Sequence, residues 1–420
     1  MRQQITNNGT MPSVIKKGNK YHCNYCLNDR HYLFHSYYHE GIKKEIVYCR
    51  ACLSHYATTE NFITLEPCRK KAEAVSLQIP FELTAQQKHA SDYIVNQFHK
   101  NEDSLLYAVT GAGKTEMMLQ AVAEARRLGC NVAITAPRTD VVKELALRIQ
   151  EYMPKTQIDI LYGGHQALTE GHLVVATVHQ LIQFNKHFEL IIVDEIDAFP
   201  MNYDPRLSKV LERALHEKGT IIYLSATPPA RLMRLPHIYL PSRYHNRPLP
   251  LPKLHYYKID SRSLQQKLKN TVNTTLIFFN DIKQMEKYYA ALPENIQNDG
   301  TIVYSNDDER HDKVEAIRRG EYRFIFTTTI LERGFTQENL SVWVINSEQF
   351  TWDSLVQIAG RVDRKGTIAN GEVIFYHEGL STHMTKAIHT IKRMNKKHDQ
   401  AMSILRRSNT SRFNNQYIIS

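Results

Sequence analysis

The chain has 420 residues, of which 42% are hydrophobic, and it carries a net charge of +10 at pH 7, so it has room for two or three globular domains. It has no apolar run long enough to span a membrane and no apolar segment among its first twenty residues, which argues against a spanning helix and a secretory signal and predicts a protein kept in the cytoplasm. Residues 1–80 and 381–420 carry net charges of +5 and +7, whereas residues 81–380 carry −2. Basic ends favour a polyanionic partner or an anionic membrane surface, although ends that only aid solubility are an alternative.

The first part of the chain holds a candidate metal site. Residues 1–19 are polar and are predicted to be a disordered tail, and residues 20–80 are predicted to form a cysteine-rich module and its connector. Two Cys-x-x-Cys pairs, with 22 residues between them, occur at Cys23, Cys26, Cys49 and Cys52. Two such turns brought together give the four tetrahedral thiolates that structural zinc prefers, and the metal would stabilise a segment too short to fold alone. Four reduced, buried cysteines are the alternative.

From about residue 81 onward, short apolar runs alternate with helical patterns. Near-continuous apolar strands between helices predict parallel sheets that are covered on both faces. A stretch rich in proline interrupts the alternation, which then resumes, so the pattern indicates an α/β protein with two such domains. We predict a first α/β domain over 81–235, a proline-rich linker over 236–254, a second α/β domain over 255–380 and a basic helical tail over 381–420.

The stretch "AVTGAGKTEM" has the form of a phosphate-binding loop, but its first residue, Ala108, stands where the motif usually has glycine. A predicted strand precedes it and a predicted helix follows, as the motif requires. Gly111 and Gly113 would let several backbone N–H groups face one point, where the helix N-terminus favours a phosphate. Lys114 would bind the β- and γ-phosphates of ATP, and Thr115 would hold Mg²⁺. Alanine needs only an ordinary backbone conformation at the first position, so the loop is predicted to work.

A second feature supports a nucleotide site. The predicted strand "LIIVDE" ends in Asp194 and Glu195, about 80 residues after the loop. In such sites the first carboxylate holds the Mg²⁺ shell and the second polarises the attacking water. Either feature alone is common, but both together in this order indicate hydrolysis of ATP.

Six motifs occur in the order found in the superfamily 2 helicases and translocases, which the chain resembles over about residues 81–366: "TGAGKTE", "TAPR", "DEID", "SAT", "TTTILERG" and "QIAGRVDR". The resemblance implies two RecA-like lobes with ATP in the cleft between them. It implies that Gln87 contacts adenine and that Arg361 and Arg364 are arginine fingers acting on the γ-phosphate. The nucleotide-binding residues that it implies, besides Gln87, are Thr110, Gly111, Ala112, Gly113, Lys114, Thr115, Glu116 and Asp194.

The same resemblance implies contacts to a nucleic acid. The "SAT" motif would couple the state of ATP to the grip on the strand. The predicted contacts to the polymer backbone are Arg138, Gly163, Gly164, Thr177, Thr327 and Thr328. Because such motors hold phosphates and sugars rather than base edges, we expect little sequence preference.

A narrower resemblance is carried by the four-cysteine module together with "ATVHQLIQF", "DEIDAFP", "TTTILERG" and "QIAGRV". These features resemble the ComFA family of late competence proteins over nearly the whole chain from about residue 20. The resemblance implies a motor that pulls single-stranded DNA into the cytoplasm, at the inner face of a membrane uptake channel and with other competence proteins as partners. An oligomer is compatible with it.

The chain departs from that family's pattern at Asp363, where glycine is usual. Its carboxylate would either pair with Arg361 or Arg364 and slow hydrolysis, or face solvent, and the sequence leaves both open.

The predicted function is that of an ATP-dependent single-stranded DNA translocase that uses ATP, Mg²⁺ and a structural Zn²⁺. A duplex-opening DNA helicase of repair or replication restart shares the motor motifs, and an RNA helicase is a third alternative. A non-hydrolysing binding module, with Ala108 and Asp363 as marks of decay, is the alternative of another class. The intact set of charged residues at Lys114, Asp194, Glu195, Arg361 and Arg364 argues against that last alternative.

Overall fold

A computed structural model describes residues 8–55, 61–65, 72–167, 170–201, 204–256, 261–305, 307, 309–332, 339–364 and 370–410. By compactness the chain divides into two units, of which the first ends at Ile238 and the second begins at Tyr239, while the short loop Ala108–Gly113 groups with the second. No helix within the described ranges has the length and apolar character needed to cross a membrane.

The cysteine-rich module consists of three short antiparallel strand pairs. Strand β1 (Asn8–Pro12) pairs with β6 (Asn61–Leu65), β2 (Val14–Lys17) with β3 (Lys20–Cys23), and β4 (Phe34–His39) with β5 (Lys44–Cys49). Both β3 and β5 end on a cysteine, and Phe34 packs against the buried cysteine cluster.

The predicted disorder of residues 1–19 is therefore wrong for residues 8–12 and 14–17, which form β1 and β2, while residues 1–7 lie outside the described part of the chain. The reason is pairing with later strands, which a polar composition does not reveal. In particular, Val14 lies opposite Cys23 and packs against the cysteine cluster.

The first α/β unit is built on an eight-stranded sheet with the order β10-β9-β11-β8-β12-β13-β7-β14. Its strands are β7 (Ser104–Ala108), β8 (Val132–Ala136), β9 (Asp159–Tyr162), β10 (His165–Ala167), β11 (Leu173–Thr177), β12 (Phe188–Val193), β13 (Leu215–Ser225) and β14 (His237–Leu240). Its helices are α1 (Ala85–Lys100), α2 (Lys114–Arg127), α3 (Thr139–Tyr152) and α4 (Pro205–Ala214). The five central pairings are parallel, and β10 runs antiparallel to β9. Every residue of β8, β11 and β12 is buried, as near-continuous apolar runs predict.

The second α/β unit has a six-stranded sheet with the order β15-β20-β19-β16-β18-β17, and all its pairings are parallel. Its strands are β15 (Lys253–Tyr256), β16 (Thr274–Phe278), β17 (Gly300–Val303), β18 (Phe324–Thr327), β19 (Leu340–Val344) and β20 (Val373–His377). Its helices are α5 (Ser261–Lys269), α6 (Ile282–Ala290), α7 (Glu294–Gln297), α8 (Arg310–Arg318), α9 (Trp352–Ala359) and α10 (Thr382–Thr410). The predicted α/β class with two parallel-sheet lobes and an N-terminal four-cysteine module is confirmed.

The proline-rich segment 236–254 is more ordered than a plain linker. It contributes β14 and the start of β15, and between them it is attached to the long helix α10. The Asn395 side chain accepts from Leu249 N–H and donates to Leu249 C=O, both at 2.8 Å. Ser242 lies 2.8 Å from a ring nitrogen of His398. Residues 382–410 of the predicted basic tail form α10, which packs on its own unit with Met384, Ala387, Ile391 and Met394 buried, while residues 411–420 lie outside the described part of the chain.

Candidate nucleotide site and metal centre

The phosphate-binding loop has the local geometry that its sequence predicts. It leaves β7 at Ala108, which is buried and still in strand conformation, so the missing glycine removes nothing that the backbone needs. Gly111 and Gly113 both have φ of +80°, a left-handed conformation that side chains other than glycine rarely adopt. Lys114 then begins α2 directly, so the N-terminus of a 14-residue helix points at the loop. The N–H groups of a helix's first turn have no partner within the helix and are suited to a phosphate.

The first turn of α2 also carries an ion-pair cluster that the sequence did not reveal. Arg148 of α3 lies 3.7 Å from the Glu116 carboxylate and 2.9 Å from Glu144, and its guanidinium donates to the Thr115 hydroxyl at 3.5 Å. Glu116 is almost fully buried in this cluster. Its partner is an arginine of α3, and its contact with nucleotide stays a prediction.

The two predicted acidic residues lie at the end of β12. Asp194 is buried, and its carboxylate accepts from the Glu195 N–H at 2.9 Å. Burial, helped by the Glu195 carboxylate and opposed by the charge of Lys114, raises the pKa of Asp194 to about 7. Glu195 has a φ of +53°, which directs the chain sharply after the strand. A buried carboxylate whose charged form is disfavoured is stabilised by a bound cation, so this site fits Mg²⁺.

Asp197, the last residue of "DEID", connects two motifs in a way that the sequence did not reveal. Its two carboxylate oxygens accept from the Ser225 hydroxyl at 2.6 Å and from the Thr227 hydroxyl at 2.8 Å. All three side chains are buried. The acidic motif and "SAT" are therefore joined directly by hydrogen bonds. A carboxylate in one motif and two hydroxyl side chains in the other were the sequence features from which this link could have been inferred.

Gln87 is placed at the start of α1, where it completes a capping box with Thr84. The Gln87 side-chain oxygen accepts from Thr84 N–H at 2.9 Å, and Gln87 N–H donates to the Thr84 hydroxyl at 3.3 Å. Gln87 is only 4% exposed. Its contact with adenine stays a prediction, and it would involve an amide that already caps a helix.

The predicted arginine fingers follow α9 in the second unit. Arg361 is 3% exposed and Arg364 is half-buried. Between them Asp363 has a φ of +54°, which explains why glycine suits this position. Its carboxylate accepts from Gly371 N–H at 3.2 Å, and burial raises the pKa of Asp363. The carboxylate is therefore half-buried and bonded to the backbone, rather than paired with an arginine finger or directed into solvent.

The residues predicted to contact nucleic acid differ in how far they are exposed. Gly163 and Gly164 are exposed between β9 and β10, and Arg138 is half-buried immediately before α3. Thr328 is also partly exposed, and Thr177 is largely buried at the end of β11. The assignment of Thr327 is not supported, because this residue is fully buried and its hydroxyl donates to the Val303 carbonyl at 2.9 Å. In "TTTILERG", Arg333 and Gly334 lie outside the described residues.

The four predicted metal ligands form one buried cluster. The Sγ atoms of Cys23 and Cys52 are 3.8 Å apart, as are those of Cys26 and Cys49, and all four lie within 4.8 Å of one another. Zn–S bonds of about 2.3 Å in a tetrahedron place the sulfur atoms about 3.8 Å apart. The cluster therefore has the dimensions of a four-thiolate zinc site.

Two additional donors complete the surroundings of the sulfur atoms. The Asn28 amide donates to the Cys49 sulfur at 3.6 Å, and the Cys26 N–H donates to the Cys23 sulfur at 3.5 Å. Such bonds favour thiolates over thiols.

The cysteine-rich module is attached to α4 of the same unit through main-chain carbonyls next to the first pair of cysteines. Lys209 donates to the Leu27 carbonyl at 2.8 Å, and Arg213 donates to the Tyr25 carbonyl at 2.9 Å. Lys209 also lies 3.6 Å from the Asp29 carboxylate. The module is therefore hydrogen-bonded to the helix that follows the acidic motif along the chain.

Comparison with known families divides the chain in the same way. Residues 84–235 match the DEAD/DEAH box helicase family, residues 260–366 match the helicase conserved C-terminal domain, and residues 2–58 match the N-terminal domain of the competence protein ComFA. Among solved structures, yeast (S. cerevisiae) Dbp5 bound to RNA and ADP BeF3 superposes with a TM-score of 0.54 at 14% identity, over 77% of this chain and 97% of the Dbp5 chain. That similarity shows the fold alone.

Two curated relatives are similar over most of their length. Competence protein ComFA of Bacillus subtilis is 33% identical over 408 residues, which are 91% of this chain and 87% of the relative. Competence protein ComFA of Streptococcus pneumoniae is 36% identical over 371 residues, which are 83% of this chain and 86% of the relative. The chain therefore belongs to the ComFA family of competence proteins, and its two helicase domains make it a superfamily 2 helicase or translocase that hydrolyses ATP.

Proposed function

We propose that this protein is an ATP-dependent translocase that moves along single-stranded DNA and drives DNA uptake during competence. The observation that carries the proposal is that the cysteine-rich module and both helicase domains occur in one chain, 91% of which aligns with ComFA of Bacillus subtilis. The charge distribution supports it, because the basic ends suit a polyanionic partner.

In this proposal the first unit binds and hydrolyses ATP. Lys114 binds the β- and γ-phosphates, while Thr115 and Asp194 hold Mg²⁺, which offsets charge on the phosphates. Glu195 accepts a proton from the attacking water. The hydrogen bonds from Ser225 and Thr227 to Asp197 connect the acidic motif to the "SAT" segment. In this proposal a movement of the acidic motif during hydrolysis is passed to the "SAT" segment.

The second unit supplies the positive charge that stabilises the transferred phosphoryl group, from Arg361 and Arg364. An arginine in this role acts mainly on the transition state, so its loss lowers turnover more than binding. Gly163 and Gly164 are exposed in a tight turn, a position from which main-chain groups can contact a phosphodiester chain.

We further propose that Cys23, Cys26, Cys49 and Cys52 bind one structural Zn²⁺ ion. The sulfur–sulfur distances of 3.8 Å support this assignment. The module has a small core, so most of its stability would come from the metal. A position at the inner face of the cell membrane, next to a DNA-uptake channel and other competence proteins, belongs to the same proposal and rests on the family.

A second candidate polymer is favoured by one observation: the solved structure of Dbp5, which has the same fold, contains RNA. Backbone contacts do not by themselves distinguish DNA from RNA. A duplex-opening helicase shares the same motor, and a binding module without hydrolysis would lack turnover altogether.

One assay separates these candidates. ATP turnover is measured without polymer and with single-stranded DNA, duplex DNA or RNA, in the wild type, in Lys114→Ala and in Lys100→Ala, whose lysine is exposed at the end of α1. We expect the strongest stimulation by single-stranded DNA, loss of turnover in Lys114→Ala and normal turnover in Lys100→Ala. Stimulation by RNA alone would favour an RNA helicase, and turnover that persists in Lys114→Ala would refute the nucleotide site.

A further inference from the structure

Arg243, in the proline-rich segment after β14, is one of the largest fully buried side chains of the protein, at 1% exposure. Its guanidinium donates to main-chain carbonyls that surround Arg361. One terminal nitrogen donates to Val362 C=O at 2.8 Å and to Asp363 C=O at 3.2 Å, and the other donates to Gly360 C=O at 3.0 Å. Arg243 therefore holds the backbone on both sides of Arg361.

The position of these carbonyls explains why a buried cation is tolerated there. Helix α9 ends at Ala359, and the chain continues as a turn in which Val362 N–H donates back to Ala359 C=O. Carbonyls at a helix C-terminus lack partners within the helix and carry partial negative charge. A guanidinium with its donors in a rigid fork can bind several of them at once.

The bonds are maintained at neutral pH. Burial lowers the pKa of Arg243 to about 10, and the nearby charge of Arg364 acts in the same direction. A group with that pKa is still protonated at pH 7. Arg243 is thus a buried cation beside a second cation, Arg364, and it is stabilised by its three bonds to the turn and by the charge of the Asp363 carboxylate.

We infer that Arg243 is a positioning residue for ATP hydrolysis, which fixes the backbone of residues 360–364 and thereby the direction of the Arg361 and Arg364 side chains. This inference rests on the proposed role of those two arginines at the γ-phosphate. Without Arg243 the backbone that carries Arg361 is no longer held in one position, so the Arg361 side chain can be misplaced. Misplacement of a catalytic group by about 1 Å can lower a rate about a hundredfold.

Lysine is the informative replacement for Arg243. Arg243→Lys keeps the positive charge and most of the aliphatic stem, but a single ammonium group cannot reproduce the fork to three carbonyls. Arg323→Lys is a matched control in the same unit, because Arg323 also donates to a main-chain carbonyl, that of Thr271 at 3.0 Å, but is exposed and, within the described part of the chain, forms no hydrogen bond to residues 360–364.

The kinetic test compares kcat and KM for ATP, with saturating single-stranded DNA, in the wild type, Arg243→Lys, Arg361→Ala, the double variant and Arg323→Lys. We expect kcat of Arg243→Lys to fall about tenfold or more with KM within about twofold, and the double variant to be no slower than Arg361→Ala, because both changes remove the same contact. Unchanged kcat in Arg243→Lys, or losses that multiply in the double variant, would overturn the inference.

A second measurement does not depend on activity. Hydrogen exchange of the peptide that covers residues 352–364 should be faster in Arg243→Lys and unchanged in Arg323→Lys, and equal exchange in Arg243→Lys and the wild type would overturn the inference. Normal turnover in Arg361→Ala would refute the finger itself, and with it the role of Arg243. A dead Arg361→Ala beside a fully active Arg243→Lys would refute only the positioning role.

Discussion

Replacement of Asp363 tests how the turn after α9 is built. The residue has a φ of +54°, and its carboxylate accepts from Gly371 N–H at 3.2 Å. The two arginines whose charges act on this carboxylate are Arg243 and Arg247, and neither is a predicted finger. Asp363→Gly should therefore not raise ATP turnover, because it releases no charge at Arg361 or Arg364.

The effect on stability follows from two opposing contributions. A left-handed backbone costs an ordinary side chain about 1–2 kcal/mol, less for Asp or Asn, and nothing for glycine. A hydrogen bond to a charged group contributes about 1.5–3 kcal/mol. Asp363→Gly relieves the first and loses the second, so we expect a net destabilisation of about 1 kcal/mol. Asp363→Ala loses the bond and keeps the strain, so it should destabilise by about 2–3 kcal/mol.

Asp363→Asn is the matched control. Asparagine retains an acceptor for Gly371 N–H and tolerates the left-handed conformation, so its free energy of unfolding should stay within about 1 kcal/mol of the wild type. The assay is urea unfolding together with DNA-stimulated ATP turnover of all three variants. A several-fold higher turnover in Asp363→Gly would show that the carboxylate brakes a finger, and an alanine variant as stable as the glycine variant would refute the strained turn.

Four further predictions concern the nucleotide, metal, module and polymer sites. Glu195→Gln should retain ATP binding but lose turnover, since an amide cannot accept a proton from water, and binding of a fluorescent ATP analogue beside phosphate release checks this. Metal analysis should find about one zinc per chain, and Cys49→Ser should lower that content and expose the module to proteolysis; a zinc-free wild type would contradict it. Arg213→Ala should weaken attachment of the module by about 1–3 kcal/mol, because the Tyr25 carbonyl loses a charged donor, and limited proteolysis of residues 8–55 reports this. Affinity for single-stranded DNA should fall steeply between about 50 and 200 mM salt through counterion release, and a salt-independent dissociation constant would argue against backbone recognition.

The parts of the structure that sequence predicted well depend on local patterns. The turn at Gly111 and Gly113 is specified by residues that are adjacent in the chain, and the fully buried strand β12 follows from its apolar run. The cysteine cluster was predictable because two short turns of fixed spacing can bind only a few kinds of ion.

The parts that sequence missed depend on partners distant in the chain. Strand β1 exists because it pairs with β6, about 50 residues later. The bonds of Asp197 to Ser225 and Thr227 bridge two motifs. The buried Arg243 lies in a proline-rich, polar stretch that gives no sign of burial, and its three acceptors are main-chain carbonyls, whose positions depend only on the fold.

The central claim is movement along single-stranded DNA, and displacement of streptavidin from biotinylated oligonucleotides measures it most directly. The label is placed at the 3′ end in one substrate and at the 5′ end in another, and free biotin traps the released streptavidin. We predict ATP-dependent displacement from one end, faster than spontaneous release, and none in Glu195→Gln. Hydrolysis that is stimulated by single-stranded DNA without displacement from either end would contradict a translocase.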